Sequence, residues 1–410
     1  MQYIRWYENA VLDALKYSRV VIISGVRQCG KTTLIERISN NLKKSSSFRT
    51  LDDDDLLQLA LDDPKGFVKH NDKTMIIDEV QKAPKLLPSI KMIVDKNNAK
   101  GQYLLTGSAD INSLPEVSES LAGRIQNIRL RVLAQGEILS KKPIFIQSCL
   151  AKKFPSQIKG FDKKTIVTLA FRGGYPESVS LPENKRHLWF TNYIKAILKK
   201  DLKEISNIYR FENISRLFPI LNSWSSKYID LEDISSKLSV SKNTLKSYIS
   251  LLKTLFLFDE VPAWVSTDYD RASKKDKFFS TDTGIMAHIL SWEKDEVLLN
   301  SDKVGKLIET FVFNELSSQV GLLDGYNIYH YRDREKREID FIIECPNNKI
   351  IAIESKAGET ANFSDFKHIN WFKTNIAKDK DVTGIVLYSG ENILSYKENN
   401  YIIPIPFLWS

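Results

Sequence analysis

The segment SGVRQCGKTTL follows the apolar run RVVII and places two glycines, a lysine and two threonines at fixed spacing. The glycines allow the loop to turn so that backbone N–H groups converge on an anion, and Lys31 reaches the β- and γ-phosphates of a nucleotide. The hydroxyl of Thr32 is placed to bind Mg²⁺. The spacing therefore predicts a phosphate-binding loop for ATP and Mg²⁺. Its binding residues are Gly25, Gly30, Lys31, Thr32 and Thr33.

A second short apolar run, TMII, ends in the acidic pair Asp78 and Glu79. Acidic residues at the end of a strand beside a phosphate-binding loop can serve the metal and the attacking water. We expect Asp78 to hold Mg²⁺ through water and Glu79 to orient or deprotonate the water molecule. The alternative is a solvated acidic pair at a strand end, and the preceding phosphate-binding loop favours the catalytic interpretation.

A third strand, in GQYLLTGSADI, ends in small polar residues, Thr106 and Ser108. They lie where a sensor of the γ-phosphate would be needed, although a capped turn explains them equally well. Arg124 follows in LAGR. Its guanidinium would either stabilise the charge that develops in phosphoryl transfer, in its own or a neighbouring subunit, or form a structural pair with a carboxylate.

Far downstream, KREIDFIIECPNNKIIAIESKAG has two β-branched segments flanking CPNNK, which predicts a β-hairpin. With 346–348 as the loop, Asp340 lies opposite Glu354 and Glu338 opposite Lys356, all on one face. The apolar residues predicted on the other face are Ile339, Phe341, Ile343, Ile351 and Ile353.

Two carboxylates directly opposite each other repel unless a cation lies between them. We expect Asp340 and Glu354 to bind a divalent metal, with Lys356 stabilising an anionic transition state. The alternative is an exposed, charged face of the sheet without catalytic activity.

Between these regions, DLEDISSKLSVSKNTLKSYISLLKTLFLFDEV predicts two amphipathic helices with a break at Ser239 to Ser241, then a strand. This order is typical of a winged helix. The outer side of its second helix carries Lys242, Asn243, Lys246 and Ser250, where DNA would be contacted. Packing or protein contact explains the same helix pair as well.

The motifs GVRQCGKTT, IIDEVQKAP, LLTGS, LAGR and FRGGYPE together resemble a large prokaryotic family of AAA+-type ATPases with a C-terminal domain of unknown function. The resemblance implies ATP binding, ATP hydrolysis and an AAA+ core. The pattern D…E-x-K at Asp340, Glu354 and Lys356 resembles the PD-(D/E)xK nuclease core, in which a helical acid, here Glu309, often contributes. The site either retains cleavage or belongs to a nuclease-like fold that no longer cuts.

The chain of 410 residues is long enough for two to four domains, and its formal charge of +8 permits nucleic-acid contact without requiring it. The cysteines lack a metal-ligand spacing, and no apolar run approaches a membrane span. We expect a cytoplasmic protein without signal peptide, with an α/β P-loop core, a winged helix and a mixed α/β nuclease-like domain. The expected boundaries are 1–135 for the core, 136–224 for a helical lid, 225–265 for the winged helix and 266–410 for the last domain.

Three functions are compatible with these expectations. The first is an Mg²⁺-dependent ATPase switch coupled to a DNA-binding or nuclease-like region. The second is a regulatory ATPase whose C-terminal domain binds protein partners and cuts nothing. The third is a nuclease for which ATP is only a gate. Homo-oligomers are compatible with all three.

Overall fold

The computed structural model describes residues 3–42, 46–110, 123–202, 211–265, 274–397 and 399–410. The chain divides into two compact units. The N-terminal unit comprises Gln2–Leu133 with Leu251–Leu257, and the C-terminal unit comprises Ala134–Ser250 with Phe258–Ser410. The first boundary lies two residues from the one expected at 135. The expected lid, winged helix and last domain fall within the C-terminal unit, apart from Leu251–Leu257.

The N-terminal unit contains a parallel five-stranded sheet in the order β2-β3-β4-β1-β5. Its strands are β1 Val20–Ser24, β2 Ser46–Thr50, β3 Thr74–Asp78, β4 Tyr103–Gly107 and β5 Ile125–Arg129. Its helices are α1 Tyr7–Tyr17, α2 Lys31–Leu42, α3 Asp54–Asp62, α4 Pro64–Phe67 and α5 Leu86–Lys96. Since β1, β3 and β4 are buried along their whole length, they have the apolar character of strands covered on both faces. The loops after these strands leave the same edge of the sheet.

The helices of the C-terminal unit precede, connect and flank its sheets. They are α6 Gln135–Ile138, α7 Phe145–Ala151, α8 Lys163–Arg172, α9 Pro176–Ser180, α10 Glu183–Ala196, α11 Phe211–Ser223, α12 Leu231–Leu238, α13 Lys242–Thr254, α14 Thr283–Ile289, α15 Lys294–Leu299, α16 Ser301–Val320 and α17 Lys367–Asn375. The last turn of α13 belongs to the N-terminal unit.

Two sheets lie in the C-terminal unit. The smaller is antiparallel, in the order β6-β8-β7, with β6 Lys227–Tyr228, β7 Phe258–Val261 and β8 Lys277–Ser280. The larger has the order β13-β14-β12-β11-β10-β9. Its strands are β9 Asn327–Arg332, β10 Glu338–Cys345, β11 Lys349–Ser355, β12 Asp381–Tyr388, β13 Leu394–Tyr396 and β14 Asn400–Pro404. Strand β10 runs antiparallel to its neighbours β9 and β11, and β12 runs parallel to β11.

The helix pair predicted for the winged helix is present as α12 and α13, with β7 after it. The Asp230 carboxylate caps α12, and the Ser241 hydroxyl accepts from the backbone N–H of Thr244 at 3.1 Å, as an N-cap does. The local elements are thus confirmed. The winged-helix assignment and DNA contact stay predictions.

The predicted hairpin register is confirmed from Cys345 opposite Lys349 to Phe341 opposite Ile353. One expectation about its faces is wrong. The pairing of β10 with β9 shifts between Ile339 and Ile342, so Ile339 packs in the same cluster as Ile342, while Phe341 packs in the cluster on the other side. A β-bulge causes this because an extra residue reverses the side-chain alternation.

The FRGGYPE motif has a structural role. The buried carboxylate of Asp282 accepts hydrogen bonds from the backbone N–H groups of Gly174 (2.7 Å) and Ile285 (2.8 Å), and so ties this turn to α14. Gly173 has φ +68°, and a Cβ there would lie 2.7 Å from Asp282 Oδ1. Glycine is needed both for the backbone conformation and for the close approach.

Among the described residues, no helix combines the length and the apolar character needed to cross a bilayer.

We predict that Gly173→Ala lowers the free energy of unfolding by about 2–4 kcal/mol, because it adds a clash with Asp282 to the strain of a positive φ. The matched control is Gly160→Ala. Gly160 has φ +88° but nothing within 4 Å of an added Cβ, so only the backbone strain of about 1 kcal/mol should appear. Urea unfolding followed by tryptophan fluorescence measures both. Equal losses would show that the Asp282 contact contributes nothing.

Candidate functional site

The phosphate-binding loop lies between β1 and α2, at the edge of the sheet where the parallel strands end. A Cβ built at Gly25 would overlap the carbonyl oxygen of Leu130, and Gly30 has φ +99°. Both glycines predicted for the loop are therefore required by its backbone. The cradle that they leave, together with the first N–H groups of α2, suits the phosphate groups of a nucleotide.

Lys31, the first residue of α2, is held under the loop. Its side chain is buried, and Nζ donates to the carbonyl oxygens of Gly25 (3.0 Å) and Val26 (3.2 Å). Nζ also lies 4.0 Å from Glu79 Oε1. Because these backbone contacts hold the ammonium in the loop, its charge is positioned before any phosphate arrives.

Asp78 connects three segments of the N-terminal unit. Thr32 Oγ1 donates to Asp78 Oδ2 at 3.0 Å, and the Thr106 hydroxyl donates to Asp78 Oδ1. Burial raises the pKa of Asp78, and these two hydroxyl donors act against that rise. A hydroxyl and a carboxylate are the hard oxygen ligands that Mg²⁺ uses beside substrate phosphates. Thr32 and Asp78 therefore fit the metal role predicted for them.

Glu79 has an unusual backbone, with φ +56° and ψ +46°. Its N–H donates to Thr106 Oγ1 at 3.0 Å, so Thr106 fixes both acidic residues. The Gln81 side chain donates to the Glu79 carboxylate and to Ser108 Oγ, the latter at 2.9 Å. Strained residues held by their surroundings cluster at functional sites. The structure thus brings Glu79, Thr106 and Ser108 together, and it adds Gln81, which the sequence analysis missed.

Arg124 lies away from this site. It directly precedes β5, and the first residue of β5, Ile125, pairs with Val20 at the start of β1. Arg124 is therefore at the opposite edge of the sheet, roughly 16 Å from the loop for a five-residue strand. Its side chain pairs with Asp95. A catalytic role in its own subunit is wrong for this reason. A role in a neighbouring subunit stays a prediction.

The C-terminal unit contains a second polar site around a buried lysine. Lys277, at the start of β8, is 2% exposed. Its Nζ lies 2.6 Å from Glu309 Oε1, 2.9 Å from Glu338 Oε1 and 3.1 Å from Asp340 Oδ1. We call Lys277 with these three acids and the Glu354–Lys356 pair the carboxylate cluster. It unites Glu309 of α16 with the hairpin residues, as the sequence predicted.

Asp340 and Glu354 sit at the open end of the hairpin. Asp340 Oδ2 accepts from the backbone N–H of Ser355 at 2.9 Å, and Glu354 Oε1 accepts from Lys356 Nζ at 3.0 Å. Glu338 contacts Lys277 and the Tyr228 hydroxyl, the latter at 3.2 Å. The pairing of β10 with β11 ends at Phe341 opposite Ile353, so the predicted pairs of Asp340 with Glu354 and of Glu338 with Lys356 lie beyond the paired residues.

Burial and the nearby Asp340 charge raise the pKa of Glu309 to about 8 and the pKa of Glu354 to about 8. Burial acts in the same direction on Glu338, but the Lys277 ammonium holds the pKa of Glu338 below its ordinary value. The surrounding carboxylates in turn raise the pKa of Lys277 despite its burial. Two ammonium groups therefore face four carboxyl groups in the carboxylate cluster, and the raised pKa values of Glu309 and Glu354 reduce the negative charge that these acids carry.

A divalent metal does not fit this arrangement. The Lys277 ammonium lies where a metal shared by Glu309 and Asp340 would bind. The Glu354 carboxylate forms an ion pair with Lys356. Within the part of the chain that the structure describes, no three His, Cys, Asp or Glu side chains are placed to hold a metal ion. The metal role predicted for Asp340 and Glu354 is therefore not supported by the geometry. Lys277 could not be found from motif spacing, because its acidic partners lie far away in the chain.

Three family models match the chain: an AAA domain (AAA_14) over residues 17–139, a domain of unknown function (DUF8612) over residues 163–296, and another (DUF4143) over residues 304–408. An uncharacterized protein of Mycobacterium tuberculosis is 25% identical over 352 residues, which is 86% of this chain and 73% of that protein. One of Haemophilus influenzae is 22% identical, covering 79% of each chain.

Solved structures similar to this chain include a Walker-type ATPase of Pyrococcus abyssi, at 12% identity and a TM-score of 0.44, covering 70% of this chain and 96% of that one. AMPPCP-bound DnaA from Aquifex aeolicus is 14% identical, with a TM-score of 0.31 and 60% and 85% coverage. The AAA domain match coincides with the strands that carry the phosphate-binding loop and the acidic pair. The N-terminal unit therefore contains an AAA-type, ATP-binding P-loop domain with an α/β core.

We predict that the buried carboxyls lower the free energy of unfolding as the pH rises from about 4.5 towards 8, and that Glu354→Gln makes the measured change with pH less negative than in the parent chain. A carboxyl whose folded pKa is about 8 binds a proton more tightly when folded, so raising the pH favours unfolding. Because burial also raises the pKa of Glu309 and the pKa of Glu315 to about 8, these two carboxyls share the effect, and the substitution should remove roughly a third of it. Urea unfolding at about pH 5.5 and pH 8 measures the difference, and Glu391→Gln, at an exposed glutamate, is the control. An unchanged pH dependence in Glu354→Gln would contradict the prediction.

Proposed function

We propose that the N-terminal unit binds Mg²⁺–ATP and hydrolyses it to ADP and phosphate. One observation carries this proposal: Lys31, Thr32, Asp78 and Glu79 converge at one edge of the sheet, with Thr106 joining the two acidic residues. This convergence brings together a cation for the phosphates, oxygen ligands for Mg²⁺ and a carboxylate for water.

Each residue then has a defined task. The loop amides and Lys31 bind the phosphates and stabilise the charge on the β- and γ-phosphate oxygens. Thr32 and Asp78 hold Mg²⁺, which neutralises phosphate charge. Glu79 accepts a hydrogen bond from the attacking water, so that the water oxygen bonds to the γ-phosphorus as the bond to the β-phosphate oxygen breaks. Gln81 and Ser108 fix the orientation of Glu79.

We also propose that the C-terminal unit has a PD-(D/E)xK-like fold. The order α16, β9, β10, β11, α17, β12 supports this, because the three antiparallel strands and the parallel fourth strand bring a helical acid, Asp340 and Glu354-x-Lys356 together. The ion pairs of Lys277 and Lys356 with the acids of the carboxylate cluster favour a unit that binds a nucleic-acid or protein partner without cutting it. Nucleotide turnover in the N-terminal unit would regulate that binding.

We predict that Lys31→Ala abolishes saturable ATP binding, whereas Glu79→Gln binds ATP but loses at least about 100-fold in turnover. The lysine is needed for the ground-state complex, and the carboxylate acts mainly on the attacking water. Calorimetry measures binding, and phosphate release measures turnover. The control is Lys16→Ala, which removes an exposed lysine of the same unit and should leave both values unchanged. Wild-type turnover in Glu79→Gln would refute the role given to that residue.

If the second helix of the predicted winged helix contacts DNA, reversing Lys242 and Lys246 to Glu should weaken binding. Both side chains are exposed. Losing two phosphate contacts reduces the magnitude of the negative slope of log K against log[salt] by roughly 2, so binding depends less on salt. The control reverses Lys65 and Lys96, two exposed lysines of the N-terminal unit, and so makes the same charge change elsewhere. If the two double variants lose the same DNA affinity, the effect is one of general charge. That result would refute DNA contact by the second helix of the predicted winged helix.

A further inference from the structure

The carboxylate cluster contains its own cation. Lys277 begins β8, where the next two residues, Phe278 and Phe279, are fully buried, so the ammonium is carried into the interior by the strand. Three carboxylate oxygens, one each from Glu309, Glu338 and Asp340, lie between 2.6 and 3.1 Å from Nζ. An ammonium has three N–H donors, and it faces three acidic partners here.

A lysine in this position excludes a divalent ion by geometry and by charge. Mg²⁺ and Mn²⁺ need their oxygen ligands at about 2.0–2.2 Å and a shell of six. A metal bound by Glu309 and Asp340 would lie within a few ångströms of Nζ, where two like charges repel strongly in a site of low dielectric constant. The metal and the ammonium therefore compete for the same oxygens.

Further contacts hold three acids of the carboxylate cluster. Asp340 Oδ2 accepts from the Ser355 backbone N–H, and Glu354 accepts from Lys356. Glu338 accepts from Tyr228 and lies 4.0 Å from Arg332 Nε. Each of these three acids thus accepts from a donor that the chain supplies, whereas Glu309 Oε1 has the ion pair with Lys277 Nζ but no hydrogen bond among the described residues.

Access does not explain the exclusion of metal. A cleft of about 570 Å³ is lined by Lys277, Glu309, Glu338 and Asp340, together with Lys306 and Trp224. Ions in solution can therefore reach these oxygens.

We infer that Lys277 is the resident cation of this cluster, and that the C-terminal unit keeps a nuclease-like arrangement of acids without a divalent metal. The Lys277 ammonium supplies the positive charge that a metal would otherwise supply, and it holds Glu309, Glu338 and Asp340 together. The carboxylate cluster therefore stabilises the fold at the wall of the cleft. This inference rests on the contacts of the C-terminal unit, and ATP hydrolysis in the N-terminal unit can fail or succeed independently of it.

The test is Mn²⁺ binding by the full chain without nucleotide, followed by the loss of the free-ion signal in electron paramagnetic resonance. All proteins carry Asp78→Asn, which removes the metal-binding carboxylate proposed at the end of β3. We expect the Lys277→Ala chain to bind one Mn²⁺ with a Kd at least tenfold lower than that of the Lys277 chain. Adding Asp340→Asn should abolish this new binding. Mn²⁺ should also raise the melting temperature of Lys277→Ala and not that of the parent chain.

Two matched controls separate charge from packing. Lys277→Arg retains the cation, and Lys306→Ala removes a lysine of the same cleft that donates to the Ser223 carbonyl instead of the acids. Both should bind Mn²⁺ as the parent does. The inference is overturned if the parent binds Mn²⁺ in a way that Asp340→Asn removes, or if a folded Lys277→Ala or Lys277→Gln chain gains no binding. The comparison of the parent with Asp340→Asn decides the question even if the Lys277 variants do not fold.

Discussion

A carboxylate that leaves water must find hydrogen-bond donors or a cation, and both sites of this protein are built around that constraint. In the N-terminal unit the buried acid is Asp78, and in the C-terminal unit it is the group of four around Lys277. The helix and strands that meet at each site carry the side chains that donate hydrogen bonds to its carboxylates. Thr32 comes with α2, Thr106 with β4, and Lys277 with β8.

The two solutions differ in what they leave for a ligand. Around Asp78 the partners are neutral hydroxyls, and the nearby ammonium of Lys31 is held by backbone carbonyls. The site therefore retains both positive charge for phosphates and oxygen ligands for a metal. In the carboxylate cluster the partners are ammonium groups bound directly to the acids. The ammonium groups of that site therefore already contact its carboxylates. This is why lysine and carboxylate side chains favour a bound metal in the N-terminal unit but not in the C-terminal unit.

This difference shapes the function that we propose. An AAA-type domain supplies nucleotide binding, and the strained backbone of Glu79, held through Thr106 and Gln81, is suited to act on water. The C-terminal unit offers a cleft lined by Lys277 and by three of the acids that contact it. A partner would bind there by its shape and polar contacts.

Features that depend on residues close together in the chain were predictable without the structure. The glycine spacing, the apolar strand before it and the acidic pair after β3 are local, and so is the hairpin register, because a short loop between Cys345 and Lys349 sets the pairing. Tertiary structure decided the rest. Arg124 was misplaced because its position depends on β5 lying beside β1, and Ile339 because the bulge arises in the pairing with β9. Lys277 reaches acids that are 61 and 63 residues away, so no spacing in the sequence could reveal that a lysine fills the place expected for a metal.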